Sequence, residues 1–466
     1  MDGILSTFFG TVAMAFAVGS GDNLAMAVPV TEEHPYYWPL HEAVQNLPKS
    51  QLTPQSIMRS LNSIQGLPQD LKWPVAGLLS SVLAFVGDGP GDDADGTYRA
   101  FTNILAVHSH LRKLYSQNGD EGYLYPFLNP LMIAVCRRVV QVGDIAASYS
   151  TASMREQSSP RSIRDGARQA LERSIQVASA ALQGPEWNQA SRADYTVADA
   201  LWPLANLLWR MYAARRLHTQ AAELAKTFSN LVPSEEERLR ARGHVLSTGT
   251  LAESYYWRGR LGIVLLDFRL ARRWLEKAWG VAPDDGWKQR QSILIKLIPA
   301  ALLTGSLPAA GVLEEYDLPV FAPLIEAFRD GNVPRWRALL EEHRVWLRAQ
   351  HIWLLLFERG EIIVWRNLFR HALTAYYLAA PEAPRKLCPT WVFVEAARTA
   401  FAGSGELEED LVLEDIICVL SSLIDQGLIM GNISYSQRQL VMRPPEKGGG
   451  FPRVKDVAPR RVQAIS

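Results

Sequence analysis

Leu413-Glu414-Asp415-Ile416-Ile417-Cys418-Val419-Leu420-Ser421-Ser422-Leu423-Ile424-Asp425 carries its apolar residues at helical spacing. It runs almost directly into Gly427-Leu428-Ile429-Met430-Gly431-Asn432-Ile433-Ser434, and then, after Tyr435-Ser436-Gln437-Arg438, into Gln439-Leu440-Val441-Met442-Arg443. The first run predicts an amphipathic helix, and the next two predict strands over 429–434 and 440–443 joined by a short turn. A helix with a hairpin lying on it is the ending of a winged helix. Two more helices are expected upstream, over 367–378 and 391–401, so the winged helix spans 365–443.

Working back from that ending, the pattern becomes one of repeated helix pairs. Tyr255, Gly259, Ala271, Leu275, Ala278 and Pro283 fall in phase with the roughly 34-residue tetratricopeptide unit, with Arg258 and Gly262 where that unit usually has Leu and Tyr. Small residues let the two helices approach, and Pro283 ends the second because it has no backbone donor. Weaker helix pairs are expected around 168–182, 199–230 and 291–304. In one of them Leu201, Leu204, Leu208 and Met211 form a single apolar stripe. The fold class is therefore all-α with a small C-terminal β-hairpin, a helical repeat array followed by a winged helix. The divisions expected are an N-terminal helical region over 1–97, helical repeats over 98–250, a second repeat set over 251–364, the winged helix, and a basic flexible tail over 444–466.

With 466 residues the chain has room for several domains, and 48% hydrophobic against 21% charged residues gives it ample core material. Basic and acidic residues balance at 48 each, which argues against indiscriminate binding of polyanions, so any nucleic-acid affinity must be local. Cys136, Cys388 and Cys418 stand far apart and read as buried thiols, not as a disulfide set. The apolar run 8–18 follows only Asp2 as a charged residue and lacks the basic start of a secretory signal, so it is expected to be the first helix of the fold. No run of eighteen uninterrupted apolar residues occurs, and no membrane span is expected.

The candidate catalytic features fail on their own chemistry. His108-Ser109-His110 has the start of one zinc hydrolase site, but the Ser and Asp that complete it downstream are replaced by Asn118 and Glu121. Two histidines two residues apart on a helix also point about 200° apart. The acidic stretch 88–96 lacks the bidentate Glu of a calcium loop, Thr102 standing in its place, and is expected to be a surface connection. The sequence contains no Walker A loop, HExxH, GxSxG or CxxC motif. No catalytic residue, cofactor or metal is assigned.

Basic residues gather in two places. Over 252–280, Arg258, Arg260, Arg269, Arg272, Arg273 and Lys277 outnumber Glu253, Asp267 and Glu276, which suits a face for an acidic partner. Around the winged helix, Arg366, Arg370, Lys386, Arg438, Arg443 and Lys447 are candidate phosphate contacts. The last helix instead carries Glu414, Asp415 and Asp425, so direct reading of base edges is not expected of it; contact through the wing and tail would be salt-sensitive and sequence-independent.

Leu297-Ile298-Pro299 with Leu303 and Gly305, then Pro308, Tyr316, Leu318, Phe321, Gly331-Asn332-Val333, Gly360 and Arg366-Asn367-Leu368-Phe369, form a set of spaced landmarks. Together with the pattern from Gly427 to Val441 they resemble the PCI-domain-containing protein 2 family over roughly 255–443. That family includes a subunit of the nuclear transcription-and-export complex two and the homologues of signalosome subunit 12. The resemblance implies a non-enzymatic scaffold in the nucleus, or shared between nucleus and cytoplasm. It implies a winged helix that pairs with another PCI-domain subunit, for which Ile429 and Ile433 are the candidate contacts. It further implies a small acidic disordered protein against the basic helix pair (Arg258, Arg269, Arg272, Arg273, Lys277), and RNA or DNA held nonspecifically by the paired subunits. Met430 departs from the family, which often has Lys there. Messenger RNA export and an accessory place in deneddylation both remain open at this point.

Overall fold

Apolar stripes at helical spacing become helices along most of the chain. The computed structural model describes residues 3–64, 66–116, 125–150, 158–182, 196–231, 247–402, 411–444 and 449–457. These fall into two compact units, Met1–Ser254 and Tyr255–Ser466.

In the first unit the helices Gln69–Asp88, Ala94–Ser116, Asn129–Tyr149 and Pro160–Ala181 pack in sequence, each against the next. The helix Gly3–Val18 buries Leu5, Phe8, Phe9, Val12 and Phe16, so the apolar run near the start forms part of the core. Gln69–Asp88 has the length and apolarity to cross a membrane, and 67% of its apolar stretch is buried inside the fold. The acidic connection is shorter than its sequence suggests. One helix runs through Asp88 and the next begins at Ala94, where the Asp93 carboxylate accepts from Gly96 N at 2.6 Å and caps the turn. A buried polar knot closes the unit: Tyr115 donates to Asn129 Oδ1 (2.7 Å) and Val197 O (2.9 Å), and Asn129 Nδ2 donates to Thr196 O. Such a knot fixes one arrangement because each buried polar group has its partner.

His108 and His110 part company, as their helical spacing requires. His108 is buried with Nε2 2.7 Å from Ser174 Oγ, and His110 bonds its own helix at Ala106 O. Burial, with Arg112 and Arg173 nearby, pushes His108 down from 6.5 to about 4. The unfolded chain therefore takes up the proton first as pH falls. Stability from neutral His108 is complete above about pH 6.5 and is lost as pH drops toward about 4. Thermal melting across this window should lose part of its pH slope in His108→Asn, and an unchanged slope would mean that His108 does not set it.

The second unit begins within the helix Thr248–Val264, which with Phe268–Val281 forms the tetratricopeptide-like pair. A Cβ on Gly259 would lie 2.5 Å from Leu275, and one on Gly262 would lie 2.8 Å from the Ala271 backbone, so the two glycines set how closely the helices approach. Gly262, which replaces the usual Tyr, makes that contact backbone to backbone. Phe268–Val281 packs on Trp287–Leu303, and Phe321–Asp330 and Val333–Glu342 both pack on the long helix Glu361–Ala379.

The winged helix follows with Glu361–Ala379, Trp391–Phe401 and Leu413–Asp425. Its sheet has three strands, β1 (Leu387–Pro389), β2 (Gly431–Ser434) and β3 (Gln439–Met442), in the order β1-β3-β2, all antiparallel. The hairpin was expected, but β1 was not, because three residues ending in proline offer no readable alternation. Leu387 faces Val441 and Ile433 faces Leu440 across the ladders. Cys418 is exposed on the last helix, unlike the buried thiol expected from its apolar neighbours; Cys136 and Cys388 are buried.

Candidate interaction surfaces

Three exposed cations of the winged helix, Lys386, Arg438 and Arg443, sit around β3. Arg438 lies in the hairpin turn with φ +51°, and its carbonyl accepts from both Thr390 N and Thr390 Oγ1 at 3.0 Å. Arg443 follows the other end of β3, beside Lys386, whose carbonyl accepts from Met442 N at 2.7 Å. The two ends of this four-residue strand are about 10 Å apart. Arg370 is exposed on the long helix. Arg385, which the sequence analysis passed over, is exposed next to Lys386 and lies 4.8 Å from the Tyr377 ring; the adjacent basic pair was its only signal. Lys447 lies outside the described residues.

Three assigned contacts are internal. Arg366 is only 4% exposed, so it cannot be a surface phosphate contact. Its guanidinium donates to Asn367 Oδ1 (3.0 Å) and Pro452 O, and lies over the Phe451 ring. Burial, and then the charge of Arg370, lower its pKa to about 10, which leaves it a cation at neutral pH. Ile429 is 1% exposed, part of the core beneath the sheet and not a partner contact; Ile433 is half-buried. Arg258 is also buried, with its guanidinium 4.7 Å from the Trp274 ring, which stacks on Tyr255. Burial follows because the position belongs to the helix-pairing face of the repeat, where Leu is usual.

The other members of the basic helix pair divide. Arg272 bonds Glu276 (2.7 Å), Thr304 and Ser306, and the Lys277 ammonium sits 4.7 Å from Trp274. Arg269 is exposed yet donates to the carbonyls of Lys455 and Val457. Arg273 is exposed. The face is therefore largely engaged within the fold.

Arg269 and Arg366 reveal that residues 449–457, expected as part of a flexible tail, form a packed strap. Gly450 O accepts from Met430 N at 2.7 Å, and a Cβ on Gly450 would press on Met442 at 2.7 Å. Further along, Val454 covers Gly305, where a Cβ would meet it at 2.8 Å. The strap thus touches the wing, the long helix and the repeat in turn. It is held mainly by its own carbonyls, which a scan for apolar periodicity does not see.

The landmarks behind the family resemblance are packing nodes. Gly331 ends its helix in the left-handed region (φ +76°), and a Cβ there would lie 2.3 Å from Leu368 N. Asn332 Oδ1 caps the next helix by accepting from Arg335 N, while Asn367 Nδ2 donates to Phe328 O at 2.8 Å. Gly360 admits the Trp336 ring, which a Cβ would meet at 2.6 Å. Among the described residues no three His, Cys, Asp or Glu side chains gather to hold a metal ion.

A PCI domain-containing protein of Schizosaccharomyces pombe is 29% identical over 268 residues, 56% of each chain. A PCI domain-containing protein 2 homolog of Drosophila melanogaster is 29% identical over 202 residues, 43% of this chain and 46% of its own. This chain has homologues among the PCI domain-containing proteins. A CSN12 homolog of Gibberella zeae is 30% identical over 206 residues, 42% of this chain and 43% of that one. The chain spans about half the length of the PCI-domain relatives it matches. No family model matches it. A solved circular tandem repeat protein covers 91% of the chain at 15% identity with a TM-score of 0.27, too low for that likeness to bear on the fold.

Proposed function

We propose that this chain is a non-enzymatic PCI scaffold subunit of a nuclear complex, acting in transcription-coupled messenger RNA export. In this reading its winged helix pairs with a second PCI-domain subunit and lends phosphate contacts to RNA or DNA held by the pair. The observation that carries the proposal is the charge layout of the winged helix. Glu414, Asp415 and Asp425 are exposed on the last helix, while Lys386, Arg438 and Arg443 are exposed around the sheet and Arg370 is exposed on the long helix. That layout repels the phosphates flanking a groove from the helix and attracts a backbone to the wing. Arg273 and the half-buried Ile433 remain as contacts for protein partners, a small acidic disordered protein among them.

Mass spectrometry of what copurifies from cells tests the membership. Recovery of export-complex subunits is expected. The similarity to a CSN12 homolog favours a second reading, an accessory subunit linked to protein deneddylation through its partners. Recovery with catalytic signalosome subunits and no export partner would establish that one instead. For the nucleic-acid contact, the partner-bound protein is titrated with RNA and DNA across salt. Reversing both Arg438 and Arg443 to Glu should reduce the salt slope by about 2 and weaken all sequences alike. A flat salt response in the unaltered protein would leave a pure protein-interaction module.

A further inference from the structure

A groove of about 790 Å³ lies between the helices Val333–Glu342, Glu361–Ala379 and Leu413–Asp425 of the second unit. Phe357, Ile362, Trp365 and Val419 give it an apolar lining, and the exposed Cys418 stands on one wall. A π-helical turn, Leu356–Gly360, opens the long helix here and leaves Phe357 42% exposed, stacked on Trp353 at 5.0 Å. Such turns interrupt regular helix pairing and are common where a protein binds something. The exposed apolar surface continues onto Leu354, 58% exposed.

The polar lining decides the occupant. Among the described lining residues Glu341, Glu358 and Glu361 stand against one cation, Arg337. Arg337 grips Glu361 at 2.6 and 3.1 Å, and Arg344 meets Glu341 at 2.7 Å. Glu358 is exposed and forms no ion pair with any described residue. A purely apolar ligand would strip water from this carboxylate with nothing in exchange, and a polyanion would be repelled by it. We propose that the groove receives an amphipathic segment of a partner protein, seating a bulky apolar side chain against Phe357 and flanking it with lysine or arginine toward Glu358. This goes beyond the function proposed above, since neither the wing nor nucleic acid takes part.

Cys418 supplies the readout. The other two thiols are buried and pushed up to about 12 by that burial, so Cys418 is the one that reacts readily in the folded chain. Iodoacetamide alkylation of Cys418 is followed in the full chain with a short synthetic peptide of leucine and lysine containing one tryptophan, and with its counterpart bearing glutamate for lysine. The lysine peptide at saturation should slow alkylation roughly tenfold, a change of about 1.4 kcal/mol in effective access, and the glutamate peptide should leave it unchanged. Phe357→Ala and Glu358→Lys, both at exposed positions, should abolish the protection, each variant's rate with peptide being compared with its own rate without peptide. Equal protection by both peptides, no protection by either, or protection by the lysine peptide that survives Glu358→Lys would overturn the proposal. So would slowing that depends on protein concentration alone, which would assign the groove to a second copy of the chain, or slowing by an RNA oligonucleotide.

Discussion

Gly331→Val is expected to destabilise the second unit by about 3–5 kcal/mol, through two costs with different origins. A side chain at φ +76° is held in the left-handed region, at roughly 1–2 kcal/mol for an L-residue and more for one branched at Cβ. The larger cost is space. The added carbon would lie 2.3 Å from Leu368 N and 2.6 Å from its Cα, both backbone atoms of the long helix, so no rotamer change relieves it. Gly311→Ala is the control. A Cβ at Gly311 meets nothing within 4 Å, and that change should be neutral or slightly stabilising. Urea unfolding followed by hydrogen exchange in the helices Phe321–Asp330 and Glu361–Ala379 compares the two. Similar midpoints for both variants would refute the claim that Gly331 is where the repeat locks onto the long helix.

Arg366→Glu should cost a similar amount, about 3–5 kcal/mol, for an electrostatic reason. The guanidinium points at two acceptors, Pro452 O and Asn367 Oδ1, from inside the unit. A carboxylate in its place would be buried against oxygen atoms with no donor. Arg366→Met, which keeps the bulk and removes the charge, should cost less, about 2 kcal/mol for lost charge-assisted hydrogen bonds. In both variants hydrogen exchange at residues 449–457 should rise before the rest of the unit opens, because the strap loses an anchor. If Arg366→Glu kept its unfolding midpoint and lost only affinity for RNA, the arginine would be a surface contact after all.

The amphipathic ending and the small residues of the repeat were legible because each is periodic or sits at a fixed offset. Leu413–Asp425 and the hairpin stand where their alternation puts them, and Gly259 faces Leu275 as the repeat spacing requires. Charge was less readable. Arg258, Arg366 and Arg370 look alike in sequence, yet two are buried and one is exposed, since burial depends on which face of the helix meets the next element. Arg366 and Arg370 are four residues apart on one helix, and it is Arg366 that meets the strap, at Pro452 O. The strap itself was invisible because carbonyl oxygens, common to every residue, hold it. The groove beside Cys418 was equally hidden: its walls come from three helices far apart in sequence, and each wall alone reads as an ordinary amphipathic helix.

The strap also orders events in the life of the protein. Its residues, 449–457, come after everything they bind: Arg269, Gly305, Arg366, Met430 and Met442 all leave the ribosome earlier. The repeat and the winged helix can each acquire their own helices during synthesis. Their fastening by this segment cannot occur until Val457 has emerged. A nascent chain paused before that point would therefore present Arg366 and the floor beneath Gly305 uncovered, a transient surface that the finished protein no longer has.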